Sequence, residues 1–242
     1  MKLYKYYGMS GLNLTSLINQ QFWASKPGYF NDPYDTPVNW LKISRGKTMR
    51  LTHVVDNEGR MRGSITWDSP VPFEEAEIDK IKNQGIICFS IRKDNMLLWS
   101  HYADQHQGYA LEFEVNDETL NYGLSPKLTT VIYGSTDINI TVFNSISEVA
   151  RHKQKVWEYE EEVRLLTAQG NKLFSWCDLH INTIKGKVDI FCSLTGIIFG
   201  SRANESTINA IKKIGLSINP DIKFMKAELS EEIFKLDIKE HN

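Results

Sequence analysis

Short apolar runs, interleaved irregularly with helical patterns, most constrain what this chain can fold into. Ile86–Ile91 and Leu128–Tyr133 have the β-branched and aromatic content of strands, and Tyr109–Val115 alternates as a strand with half its side chains buried. Glu162–Leu166 and Gly196–Gly200 continue the series, residues 1–8 form a first strand with Tyr4 and Tyr6 on one face, and Phe22–Pro27 is extended. Helical spacing predicts helices over Asn13–Gln21, Glu74–Asn83, Met96–His101, Ile146–Glu161 and Ser206–Ile214, the fourth the longest and the last starting near a Glu205-Ser206 cap. Phe224–Ile238 follows as strand, turn, strand. This order predicts an α+β fold of mixed, mostly antiparallel sheets with flanking helices, not a regular βαβ series.

A chain of 242 residues is large enough for one extensive core, so a single domain over 1–242 is expected. Residues 40–84 are the least patterned part. Arg60–Gly63 and Pro70–Pro72 mark loops there, and the segment is expected to be an insertion or a lid over a site. Apolar residues at 41% and charged residues at 24% fit a globular protein. The net charge of −2, with both signs mixed along the chain, disfavours non-specific DNA binding through phosphates. No apolar run approaches the ~20 residues of a membrane helix, and no signal-peptide pattern opens the chain, so a cytoplasmic protein without a membrane partner is expected. Cys88, Cys177 and Cys192 have no CxxC spacing, which supports neither a disulfide framework nor a cysteine zinc site.

Two constellations carry chemistry. Leu98–Gly108 holds Trp99, Ser100, His101, Tyr102, Asp104 and His106 within eleven residues, directly after the Ile86–Ile91 strand. Imidazoles titrate near neutrality and aromatic rings offer flat faces to a ligand. His101 and His106 lie five apart and lack the glutamate of an HExxH motif, so a helical two-histidine metal site fits badly and no metal is predicted. In the second constellation, Trp157–Arg164, an extended backbone would put Glu160, Glu162 and Arg164 on one face. Paired carboxylates beside an arginine suit ribose hydroxyls or acid/base work. Phe30-Asn31-Asp32-Pro33 reads as a loop staple, and the glycines around Ile198 match no common nucleotide fingerprint.

Taken in order, Leu3–Tyr6, Phe30–Asp35, Cys88-Phe89-Ser90, Leu98–Asp104 with His106 and Gly108, Trp157–Arg164 and Ile198-Phe199-Gly200 resemble the bacterial domain-of-unknown-function family 2971, from residue 3 to about residue 214. The layout is more distantly similar to that of ADP-ribosyltransferases, which cleave the nicotinamide–ribose bond of NAD. That second resemblance implies NAD as substrate, a small-molecule nucleotide partner and an acceptor macromolecule of unspecified kind, in a defence setting such as phage defence or in a toxin system. It implies Glu162 as the carboxylate facing the ribose and Glu160 as activator of the acceptor. Tyr102 would stack on nicotinamide, and Arg164 or Lys5 would neutralise phosphate. Tyr4, Tyr6, Phe89, Ser90, Trp99, His101 and His106 would complete the binding surface. The early strand departs from that layout, offering Tyr4, Lys5 and Tyr6 where those enzymes carry Arg or His. A metal-assisted hydrolase or nuclease using His101, Asp104, His106 and the glutamates, and a non-catalytic ligand-sensing or partner-binding module, are the alternatives.

Overall fold

A computed structural model describes residues 1–36, 44–45, 49–55, 61–67, 71–116, 127–134, 142–143, 146–183, 186–189 and 194–241. The strands are β1 Lys2–Tyr7, β2 Gln21–Ala24, β3 Ser44–Arg45, β4 Met49–Val55, β5 Met61–Trp67, β6 Val71–Pro72 and β7 Gly85–Ser90. They continue as β8 Tyr109–Glu114, β9 Lys127–Thr130, β10 Ile132–Gly134, β11 Val142–Phe143, β12 His152–Gln154 and β13 Glu162–Thr167. The last are β14 Lys172–Ser175, β15 His180–Thr183, β16 Gly186–Asp189, β17 Leu194–Phe199, β18 Lys223–Leu229 and β19 Leu236–Glu240. The helices are α1 Gly11–Ile18, α2 Glu75–Asn83, α3 Met96–Tyr102, α4 Ile146–Val149 and α5 Glu205–Ile218.

The fold is α+β. Its main feature is an eight-stranded sheet in the order β19-β18-β17-β8-β1-β7-β13-β9. Six of its seven pairings are antiparallel, and the parallel pair, β17 with β18, is joined through α5. Asn204 caps α5 by accepting from the Thr207 amide, one residue ahead of the expected Glu205-Ser206 cap. Gly215 lets that helix settle onto the sheet, because a Cβ there would stand 3.0 Å from Ile197 and 3.2 Å from Phe224. The central strands β8 and β13 are buried on both faces, so Tyr109–Val115 is not the half-exposed strand that its alternation predicts. Burial on both faces forces every polar side chain in them to find a partner.

Alternation along β1 separates two cores. Leu3 and Tyr7 face the larger one, with Ile87, Phe89, Leu111, Phe113, Val163, Leu165, Phe22 and Trp176. Phe22 is its hub, 5.2 Å from the rings of both Phe89 and Phe113 and 5.4 Å from Trp176, geometries that add about 0.5–1.5 kcal/mol each beyond area burial. Tyr4 and Tyr6 face the smaller one, with Trp99, Ala103, Ala110 and Ile198.

The chain divides into two compact units. The first comprises 1–26, 84–131 and 156–242 and holds the large sheet; the second comprises 27–83 and 132–155. Within the second, β4 pairs antiparallel with β5 over seven residue pairs, β3 lies between β11 and β6, and β10 runs parallel to β12. Most of the 40–84 segment is here. Met61–Gly63, expected as loop, is part of β5, and Val71–Pro72 forms β6, while Arg60 and Pro70 lie outside the described residues. The Lys153 ammonium lies 3.3 Å from the Asp35 carboxylate inside this unit, both residues buried.

Two expected elements are corrected. The long helix over Ile146–Glu161 is instead the single turn α4, the strand β12 and a 3-10 segment, Lys155–Glu160. Val149 and Ala150 are buried without a longer helix, and the run of glutamates at its end, which opposes a helix dipole, ends in the 3-10 turn instead. The strand expected over Leu128–Tyr133 breaks at Val131 into β9 and β10, one in each unit.

Candidate functional site

The face of the large sheet that carries Tyr4 and Tyr6 presents two rows of side chains across its strands. Register aligns Glu112, Tyr4, Ser90 and Glu162 on β8, β1, β7 and β13 in one row. On β7 and β13 the next row puts Cys88 opposite Arg164, which faces Thr129 on β9. Neighbours in such a row stand about 4.5–5.5 Å apart, close enough for direct hydrogen bonds. All four members of the first row are buried, so each is engaged.

Glu112, 1% exposed, accepts from Lys2 Nζ at 2.8 Å, from Thr195 Oγ1 at 3.0 Å and from the Tyr4 hydroxyl at 3.1 Å. Burial alone would raise its pKa; the donors outweigh it and hold the carboxyl below the ordinary carboxylate range. The Tyr4 phenol is pushed up by burial and by the charge of Glu112. At the other end of the row Glu162 and Arg164, 4% and 0% exposed, form a two-point pair, Nε to Oε1 at 2.8 Å and Nη2 to Oε2 at 2.9 Å.

Glu160 does not continue that alternation. It closes the 3-10 segment, and Glu161 turns the chain into β13 with a φ of 42°. Non-glycine residues rarely adopt that left-handed region, which costs of order 1–3 kcal/mol and persists where surroundings over-determine it. Glu160 is drawn onto the face by two other contacts: the Tyr102 hydroxyl donates to its Oε1 at 2.7 Å, and Ser90 Oγ donates to its backbone carbonyl at 2.5 Å. Tyr102, Ser90 and Glu160 therefore meet beside the row that contains Glu162.

The cover over these rows is α3 together with the 156–161 segment. Asn95 joins them: its Oδ1 caps α3 at the Leu97 amide, 2.9 Å, while its amide donates to the Tyr159 carbonyl at 2.8 Å. Trp99 is fully buried, donates Nε1 to the Lys93 carbonyl at 2.9 Å and meets the Tyr6 ring edge-on at 5.0 Å. Towards solvent, His101 Nδ1 lies 3.0 Å from the Tyr159 hydroxyl, with the Trp157 ring 6.4 Å away and the Trp157 and Tyr159 rings 6.0 Å apart. Arg92 links the rim by bonding Asp94 and Glu161, each at 2.9 Å, which lowers the Asp94 pKa and raises that of Arg92.

Beyond α3 the chain turns back through Asp104, Gln105 and His106, all with positive φ (48°, 53° and 72°). The turn is pinned by His106 N to the Trp99 carbonyl, 3.1 Å, and Arg202 N to the His106 carbonyl, 3.0 Å. His106 Nε2 lies 3.1 Å from Ser100 Oγ, and burial, with Arg202 nearby, lowers its pKa. His101 and His106 thus have different partners. Among the described residues no group of three or more His, Cys, Asp or Glu could hold a metal ion.

The structure therefore brings together Tyr4, Tyr6, Ser90, Glu162 and Arg164 on one sheet face, with Tyr102, Trp99 and His101 of α3 and with Glu160 over it. It does not bring Phe89 or Lys5 there. Phe89 packs in the larger core, and the Lys5 ammonium stands 5.5 Å from the Tyr7 and Phe89 rings of that core. His106 joins Ser100 at the rear of α3 instead. Sequence reasoning missed Glu112, Lys2, Thr195, Arg92, Asn95 and Tyr159. A charged residue inside the apolar run Tyr109–Phe113 was the signal for Glu112, and an asparagine just ahead of Met96 that for Asn95 as a helix cap; Lys2, Thr195 and Tyr159 depend on tertiary pairing.

Residues 98–165 match the model of a family described as "Protein of unknown function (DUF2971)". The matched stretch, shorter than the 3–214 of the resemblance, runs from α3 through β13 and contains Tyr102, Glu160, Glu162 and Arg164. No curated protein and no solved structure matches the chain. No helix of the described residues is long and apolar enough to cross a membrane.

Proposed function

We propose that this chain, a match to the DUF2971 model over residues 98–165, binds a nucleotide of the NAD kind over the Ser90–Glu160–Glu162 face and cleaves its nicotinamide–ribose bond. The observation that carries the proposal is the Tyr102–Glu160 hydrogen bond, 2.7 Å, set beside a buried carboxylate that an arginine holds at two points. Heterolysis of the glycosidic bond releases nicotinamide with the bonding pair and leaves oxocarbenium character on the ribose, which a fixed carboxylate stabilises. Glu162 is that carboxylate. Glu160 receives the proton of the attacking acceptor or water, and Tyr102 fixes its orientation. The half-exposed Trp157 and Tyr159 rings, with His101, supply flat surface for a planar base. Calorimetric titration with NAD tests the binding step: Trp157→Ala should weaken affinity about tenfold, and unchanged affinity would remove the ring surface from the proposal.

A second reading is favoured by one observation, that both Glu162 oxygens are already held by Arg164 and the residue is 4% exposed. In that reading the face senses a ligand without turning it over. NAD then raises the melting temperature while its concentration stays constant over hours.

A further inference from the structure

On the opposite face of the same sheet, two buried hydrogen-bond donors without a partner and the half-buried Lys5 ammonium lie along one set of aromatic rings. The Tyr7 hydroxyl, in a residue 9% exposed, and Trp176 Nε1, in a residue 2% exposed, have no hydrogen-bond partner among the described residues. Lys5 spends one of its three donors on the Cys88 carbonyl, 3.1 Å away, and its ammonium stands 5.5 Å from the centroids of both the Tyr7 and Phe89 rings. No carboxylate of the described residues pairs with it. The rings tie the three donors together: Phe89 is 5.2 Å from Phe22, and Phe22 is 5.4 Å from Trp176. The strands also fork at this point. β7 pairs with β1 only at Tyr4–Ser90, and Ile86 exchanges both of its backbone hydrogen bonds with Ser25 instead.

Each unsatisfied buried donor costs about 1–3 kcal/mol, and a core that carries two of them beside a half-buried ammonium is adapted to something that accepts from them. All three are donors and one is a cation, so the complement is an anion. Burial depresses the Lys5 ammonium, and the Cys88 thiol and Glu162 carboxylate offset this only in part, which leaves room for a closer counter-charge.

We propose that the fork between β1 and β7 is a binding site for a small organic anion, its charged head on Lys5 and the Tyr7 hydroxyl and its apolar body against Phe22, Phe89 and Trp176. The site lies on the sheet face opposite Glu162 and stands independently of the NAD proposal.

Fluorescence titration with 1-anilinonaphthalene-8-sulfonate tests it on the full chain, with uncharged N-phenyl-1-naphthylamine as a second probe. Saturable one-to-one binding of the sulfonate is expected. Tyr7→Phe should weaken it about tenfold and Lys5→Met about tenfold or more, while Lys5→Met leaves the uncharged probe unaffected. Tyr7→Phe should not melt below the wild type, because it removes a buried hydroxyl that lacks a partner. Sulfonate affinity equal in wild type and both variants, absence of saturable binding, or a lower melting temperature in Tyr7→Phe would overturn the proposal. The last result would show that the hydroxyl is already satisfied inside the core, as by a buried water.

Discussion

At the scale of single residues, the candidate face depends on buried charges that are tolerable only in pairs. Deleting one partner strands the other: Arg164→Met should cost about 3–5 kcal/mol in urea unfolding, whereas the double change Glu162→Leu with Arg164→Met should recover most of that loss. A double variant as unstable as the single one would mean that packing, not charge, sets the cost. Glu112 gives a pH signature. Its folded carboxyl lies below the ordinary value, so the stability it contributes is present above a pH of about 4.3 and is lost as the pH falls through the folded value. Glu112→Gln should therefore flatten the acid limb of a stability-against-pH curve, and identical limbs would show that its donors are incidental. Residues of this kind were half legible in the sequence. Glu162 and Arg164 could be placed on one face by period two, and register bears that out. Glu160 could not, because the left-handed Glu161 breaks the alternation and Tyr102, remote in sequence, draws Glu160 back.

At the scale of elements, what positions the site is the return from α3 to the sheet. Gly108 is crossed so closely that a Cβ would lie 2.0 Å from the Tyr7 carbonyl, and at Gly200 it would lie 2.0 Å from the His106 carbonyl. Gly108→Ala should accordingly displace the α3 return and lower the melting temperature far more than Gly11→Ala, where a Cβ meets nothing within 4 Å. Equal effects at the two glycines would contradict the close crossing. The sequence made the strands Ile86–Ile91 and Gly196–Gly200 and the helix Met96–His101 easy to see, because short apolar runs mark the strands and local pattern the helix. It made Ile146–Glu161 look helical, since Ile146, Val149, Ala150, Lys153 and Trp157 recur at helical spacing. The parallel pairing of β12 with Ile132–Gly134 overrides that pattern, and no local window contains it.

Across the whole molecule, the sheet buries the phenols of Tyr4, Tyr7 and Tyr109 and half-buries that of Tyr6. Burial is the leading cause that raises the pKa of Tyr4, Tyr6, Tyr7 and Tyr109, so these groups stay protonated in the folded chain where the unfolded chain ionises. Their contribution is complete below a pH of about 10 and is lost as the pH rises above it, which favours unfolding in alkali. Absorbance at 295 nm should show these tyrosines ionising only together with unfolding; a titration completed near pH 10 with the fold intact would contradict their burial. The same sheet sets the functional account, because it aligns Ser90 with Glu162 and holds Tyr102 and Glu160 beside them. The most direct measurement is nicotinamide release from NAD by the purified chain, with and without cell lysate, beside Glu160→Gln, which keeps an acceptor for Tyr102 but removes the charge. Release by the wild type that is lost in Glu160→Gln, with the variant folded by circular dichroism, is the predicted result. Release that persists undiminished in Glu160→Gln, or none from the wild type under either condition, would contradict the account.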